Sequence, residues 1–188
     1  MRKPPHVIEI FLKPGDLYFG ERNTRIRTVL GSCVSMTFWH PKLLIGGMCH
    51  YMLSSRSTGW RGARTQLQDG HYADEAIEMM GKEIDAAGVS HREFQVKLFG
   101  GGNMFPEYRK AVSHIGLKNI VAARDLVAQY GFNCVAECLG GDGHRNVIFD
   151  VWSGNVWVKH AVIAYPDVAL QGGGNQVNLW RMRCVELV

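Results

Sequence analysis

The chain predicts an α+β fold of packed mixed β-sheets flanked by two main helices. Three observations carry this. Short runs rich in Val, Ile, Thr, Phe and Trp recur along the chain, most of them closed off by Gly or Pro, which is the pattern of strands. Two longer stretches repeat apolar residues at three- and four-residue steps, as a helix with one buried face does. No internal repeat or interior linker divides the 188 residues. Residues 1–188 therefore read as one domain, long enough to bury about 70% of the unfolded surface.

From the N-terminus, strands over 7–12 and 17–19 are joined by Lys13-Pro-Gly-Asp16, a sequence suited to a tight turn. Residues 21–25 are polar and read as a loop. Two strands, 26–30 and 34–39, flank Gly31-Ser32-Cys33 as a pair. Gly31, without a Cβ, permits the sharp bend that lifts the Cys33 thiol clear of the sheet. After His40-Pro41 a further apolar run, 43–53, carries His50. Residues 54–70 hold Gly59, Gly62, Gly70, Arg56, Arg61 and Arg64 without apolar periodicity, the mark of a functional or mobile loop.

The clearest helix covers 72–87. Ala73, Ile77, Met80 and Ile84 line one side, Asp74, Glu75, Glu78, Lys82 and Asp85 fall elsewhere, and Gly88 stops it. A strand over 93–99 ends at Gly100-Gly-Gly102. A second helix covers 120–130 and ends at Gly131, and a strand over 132–139 closes at Gly140-Gly141. Strands 146–152 and 156–160 form a hairpin over Ser153-Gly-Asn155, with Trp152 and Trp157 packing across it. The tail, 161–170 and 177–188, adds strands around Gly172-Gly-Gly174.

Composition narrows the function classes. A hydrophobic content of 46% with 20% charged residues is ordinary for a soluble globular protein. No run approaches the ~18 apolar residues of a membrane span, and Met1-Arg-Lys-Pro-Pro-His6 has no apolar segment of a secretory signal behind it. Five scattered cysteines, an odd number, imply free thiols in a reducing cytoplasm. The net charge of +4 is spread thinly and does not indicate nucleic acid.

Cys33 at a Gly-Ser bend and His50 on a neighbouring element are the minimum for a thiolate nucleophile with a general base. Each also has a plain alternative: a free Cys is more often a small buried hydrophobe, and a His on a half-buried strand is usually just hydrogen-bonded. Strand alternation puts Met48, His50 and Met52 on one face and Cys49 and Tyr51 on the other. That disfavours Cys49 as nucleophile and disfavours a zinc site built from Cys33, Cys49 and His50; no metal and no cofactor is expected. Cys134 and Cys138 lie roughly 13 Å apart on a strand, too far for a disulfide, and read as core. Gly100-Gly-Gly-Asn103 lacks the Gly-Lys-Ser/Thr end of a phosphate loop and reads as a turn. Asp142 and His144, in a glycine-rich loop, are candidates for a supporting role.

The string Leu30-Gly-Ser-Cys-Val34, with His50 after it, is followed in order by Gly70-His-Tyr-Ala-Asp74, Gly100-Gly101 with Met104-Phe105, Ile115-Gly116 with Asn119, and Gly140-Gly141 with Arg145. It ends in the hairpin around Ser153-Gly154. This series resembles the chemoreceptor glutamine deamidases of bacterial chemotaxis, the CheD family, over roughly residues 7–160. The resemblance implies a fold similar to cysteine hydrolases of the cytotoxic necrotizing factor type. It implies hydrolysis of glutamine side chains, on the cytoplasmic helical region of chemotaxis receptors, to glutamate with release of ammonia. Some members also bind a CheC-type phosphatase. The family uses a Cys-His-Thr arrangement, and Cys33 and His50 match its first two positions. Its threonine stands six residues before the cysteine, where this chain has Arg27; Thr28 is the candidate nearest that place. Arg27 and Thr28 project from opposite faces of a strand. Backbone N–H groups at the bend, with Gly31 and Ser32 shaping it, are placed to stabilise an oxyanion. The competing reading is a non-catalytic adaptor that binds receptors or the phosphatase and carries a vestigial Cys-His pair.

Overall fold

A computed structural model describes residues 2–56, 67–104, 114–161 and 185–186, and shows an α+β fold of two mixed sheets and two α-helices. The four-stranded sheet runs in the order β1 (Ile8–Phe11), β3 (Thr24–Leu30), β8 (His144–Asp150), β9 (Asn155–Ala161). The six-stranded sheet runs β10 (Val185–Glu186), β7 (Asn133–Leu139), β6 (Gln95–Gly100), β4 (Val34–His40), β5 (Ile45–Tyr51), β2 (Leu17–Gly20). Pairing is antiparallel except between β1 and β3 and between β6 and β7.

The layers follow from which faces are apolar. Helices α1 (Ala73–Ala86) and α2 (His114–Gln129) cover the outer face of the six-stranded sheet. There Ala73, Ile77, Met80 and Ile84 of α1 and Ile120, Ala123 and Val127 of α2 pack on Val34, Met36 and Phe38 of β4 and on Cys49 and Tyr51 of β5. The other face meets the four-stranded sheet, where Ile26, Leu30, Val147, Phe149, Val156 and Val158 enclose Met48 and Phe99. Each such side chain contributes about 1.5–3 kcal/mol by leaving water.

That middle-layer position corrects one expectation. Strands β3 and β4 do not pair; they belong to different sheets, and Gly31-Ser32-Cys33 carries the chain from one to the other. The reason lies in their faces. Strand β3 alternates, with Thr24, Ile26, Thr28 and Leu30 buried and Arg27 and Val29 exposed, as suits a sheet with one face in water. Strand β4 is buried at six of its seven positions, which only the middle layer allows.

Other boundaries shift for local reasons. Strand β3 starts within the stretch expected to be a loop, because Thr24 turns inward while the Arg25 side chain pairs with Asp150 at 2.7 Å. Helix α1 keeps its expected span, and Gly88 follows it at φ +70°. Helix α2 begins at His114, ahead of its periodic stretch. Ile115 and Leu117 are exposed in its first turns, so no apolar period marks them. Trp152 lies under the Arg25 guanidinium, and Trp157 donates to Asp150 at 3.1 Å instead of packing on Trp152. The glycines at 59, 62 and 172–174, with Arg61 and Arg64, lie outside the described residues, as does the tail apart from β10.

Candidate active site

The register of the middle sheet places Cys33 and His50. Val34 is opposite Tyr51 and Ser35 is opposite His50, so Cys33, one residue earlier, falls diagonally across from His50. Diagonal neighbours on antiparallel strands stand about 7–8 Å apart, within reach of a thiol and an imidazole leaning towards each other. Both lie on the face away from the helices. Cys33 packs against the inter-sheet core together with Met48, which shares its face of β5 with His50. Cys49 and Tyr51 lie in the other core, so the expected split of faces along β5 is present.

His50 is buried, at 2% exposure, and its two ring nitrogens differ. Nδ1 is 2.8 Å from Oγ1 of Thr28, which points inward from β3 between Ile26 and Leu30. Thr28 donates its own hydroxyl proton to the Leu12 carbonyl at 2.8 Å, so its oxygen is left to accept. The network thus assigns the proton to Nδ1 of His50. Nε2 is buried with no hydrogen-bond partner among the described residues. The other tautomer would bury an unpaired N–H at a cost of about 1–3 kcal/mol. Burial depresses the His50 pKa from 6.5 to about 4; the Leu12 carbonyl and Asp16 oppose the shift and His71 adds to it. Arg27, the residue before Thr28, is exposed on the opposite face of β3 and pairs with Glu9 at 3.0 Å.

Cys33 is half-buried in the crossover, not raised above the sheet, and burial pushes its thiol above the ordinary 9.0. The bend owes its shape less to Gly31 than to a second loop lying against it. Gly101 N–H donates to the Cys33 carbonyl and Gly102 N–H to the Gly31 carbonyl, each at 2.8 Å. The left-handed conformations are at Gly100, φ +111°, and Gly101, φ +66°, not at Gly31. A Cβ on Gly100 would meet the Cys33 carbonyl oxygen at 2.2 Å, whereas the atoms nearest to one on Gly31 belong to the Met104 side chain.

Several residues around this loop carried no assigned role in the sequence. Buried Arg145 of β8 donates to the carbonyls of Gly100 and Gly140, clamping the two glycine loops. Buried Asn119 of α2 reaches the carbonyls of Ser32 and Met52. The signal for both was their place in the ordered motif series, Asn119 after Ile115-Gly116 and Arg145 after Gly140-Gly141, which named the residues without a role.

The remaining candidates lie elsewhere. Cys49 is fully buried and pushed up to about 12. The register of β6 on β7 shifts at Val96/Lys97, so β7 carries one extra residue between Cys134 and Ala136. Cys134 therefore meets the outer core and Cys138 the inner one. Arg56 of the arginine-rich stretch pairs with Glu75 of α1 and lies over the Tyr72 ring. His160 faces the Asp142 carbonyl at 2.7 Å, and His144 opens β8.

Residues 52–160 match the family model described as CheD chemotactic sensory transduction. The chain is 49% identical over 180 residues to a protein of Pseudomonas savastanoi pv. phaseolicola named "Probable chemoreceptor glutamine deamidase CheD", covering 95% of this chain and 97% of that one. A protein of the same name in Pseudomonas fluorescens is 46% identical, over 85% of this chain and 89% of its own. The Dechloromonas aromatica protein "Probable chemoreceptor glutamine deamidase CheD 3" is 46% identical over 88% and 92%. Among solved structures, the hypothetical protein YfiH of Bacillus licheniformis is 14% identical with a TM-score of 0.40, covering 68% of this chain and 50% of that one.

Proposed function

The chain belongs to the CheD chemotactic sensory transduction family, and on that premise we propose that it hydrolyses glutamine side chains of chemotaxis receptors, with Cys33 as nucleophile and His50 as base. The observation that carries the mechanism is the asymmetry of the imidazole: Nδ1 is held by Thr28, while Nε2 keeps a lone pair and, among the described residues, no partner on the face shared with Cys33.

The resting pair is neutral, since burial raises the Cys33 thiol and lowers His50. The proton moves to Nε2 as the sulfur attacks the glutamine carbonyl carbon, which avoids a buried charge before substrate arrives. Negative charge then develops on the carbonyl oxygen. Backbone N–H groups of the bend at Gly31, Ser32 and Cys33 are the donors for it, a contribution of roughly 3–4 kcal/mol per donor in other enzymes. Protonated His50 gives its proton to the leaving nitrogen, and ammonia departs from a thioester on Cys33. His50 next deprotonates water, which attacks the thioester and frees glutamate with the thiol restored.

Mass spectrometry of receptor cytoplasmic fragments incubated with the protein tests this. Replacing NH₂ by OH adds about 1 Da per converted glutamine, with one ammonia released for each. An adaptor leaves the mass unchanged, and so should Cys33→Ala. A mass gain that persists in Cys33→Ala would refute the assignment.

A further inference from the structure

We propose that Asn119 is a positioning residue that aims the Cys33 backbone N–H at the oxyanion. The inference rests on the deamidase reading and adds a residue to it.

Asn119 is fully buried on α2, the layer that contributes neither Cys33 nor His50. Its Nδ2 donates to the Ser32 carbonyl at 3.1 Å and to the Met52 carbonyl at 2.7 Å. Two carbonyls require two donors, so the carboxamide has one workable orientation. One amide group thereby ties the residue before the nucleophile to the residue two places beyond the base. Tyr51, between His50 and Met52, donates its hydroxyl to the Asn119 backbone carbonyl at 2.7 Å and fixes α2 at the same level.

Holding the Ser32 carbonyl has a geometric consequence. The peptide is planar and trans, so the Cys33 N–H points opposite to that carbonyl. With the oxygen drawn to α2, the N–H is turned away from the helix, towards the Cys33 sulfur, and among the described residues it donates to no backbone carbonyl. Its neighbour, the Cys33 carbonyl, is already held by Gly101 N–H, so the peptides on both sides of the nucleophile are fixed. Asn119 Oδ1 is buried without a partner among the described residues, so the side chain is seated for what its nitrogen donates.

The test compares Asn119→Asp with wild type on receptor fragment and on iodoacetamide. The aspartate keeps the shape and loses the two donors. Loss of one oxyanion donor lowers kcat about 10²–10³-fold elsewhere, and a drop of that order with KM within about twofold is expected. Alkylation of Cys33 forms no oxyanion at a carbonyl and should stay within about threefold. A kcat within threefold of wild type, or kcat and alkylation changing in parallel, would overturn the proposal. If Asn119→Asp fails to fold, wild type decides. Addition of a receptor peptide with an aldehyde in place of the glutamine carboxamide joins the Cys33 sulfur to the aldehyde carbon and leaves its oxygen anionic or protonated. The Cys33 amide proton should shift downfield in that adduct, and an unmoved resonance refutes the proposal. Wild type that releases no ammonia sinks the deamidase reading and this one together. Active wild type with an unaffected Asn119→Asp sinks only this one.

Discussion

Thr28 Oγ1 and His50 Nδ1 are 2.8 Å apart although their strands belong to different sheets. The contact bridges the layers through the apolar core formed by Ile26, Leu30, Met48 and Phe99. The ring orientation of His50 therefore depends on how the two sheets pack.

Thr28→Val removes the acceptor for Nδ1–H and keeps the shape. Loss of an orienting partner lowers activity about 10–100-fold at metal-bound histidines; a loss of at least that order is expected here, and Thr28→Ser should recover most of it. Steady-state ammonia release measures both. Equal loss in Ser and Val variants would assign Thr28 to packing alone.

The His50 pKa of about 4 gives two pH effects. In activity, kcat/KM should fall on the acid side near pH 4, where Nε2 is protonated and cannot take the thiol proton. In stability, the folded-state value lies below the ordinary 6.5. Between pH 6.5 and 4 the unfolded chain therefore takes up a proton that the folded chain refuses. Stability is full above 6.5 and declines as pH falls towards 4, by on the order of 3 kcal/mol. Urea unfolding across this range should show the decline, and His50→Gln should flatten it.

Cys33 and Cys49 should separate cleanly. Cys33→Ala lowers turnover about 10⁴–10⁶-fold, while Cys49→Ala keeps activity within about threefold because its thiol faces the helices. With limiting iodoacetamide, peptide mapping should find Cys33 modified and Cys49 protected. Similar losses in both alanine variants would contradict the face assignment.

Gly100→Ala should be more damaging than Gly31→Ala. At Gly100 a Cβ meets a left-handed backbone and the Cys33 carbonyl oxygen at 2.2 Å. At Gly31 it meets the flexible Met104 side chain. The expected outcome is loss of about 2–3 kcal/mol of stability and most turnover for Gly100→Ala. Gly31→Ala should stay within about 1 kcal/mol. Thermal unfolding and ammonia release compare them.

Much of the fold was legible along the chain. The period-three-and-four spacing of Ala73, Ile77, Met80 and Ile84 marked α1 because a helix buries one stripe. Alternation through Met48, Cys49, His50 and Tyr51 assigned the faces of β5 because side chains alternate on any strand. The start of α2 was not legible. Gly116 is there because its Cβ would meet the Gly101 carbonyl oxygen at 2.7 Å, a contact between segments far apart in sequence.

By its own order of residues the chain determined that a cysteine follows a Gly-Ser step, that a histidine lies on the next strand, and which way that histidine faces, since these depend on neighbours a few positions away. Only the tertiary structure decided that β3 and β4 part into separate sheets, that Thr28 rather than Arg27 reaches His50, and that Asn119 and Gly100–Gly101 hold the bend. Those choices turn on which apolar faces are buried against each other, and the residues that settle them are brought together by packing across the whole molecule.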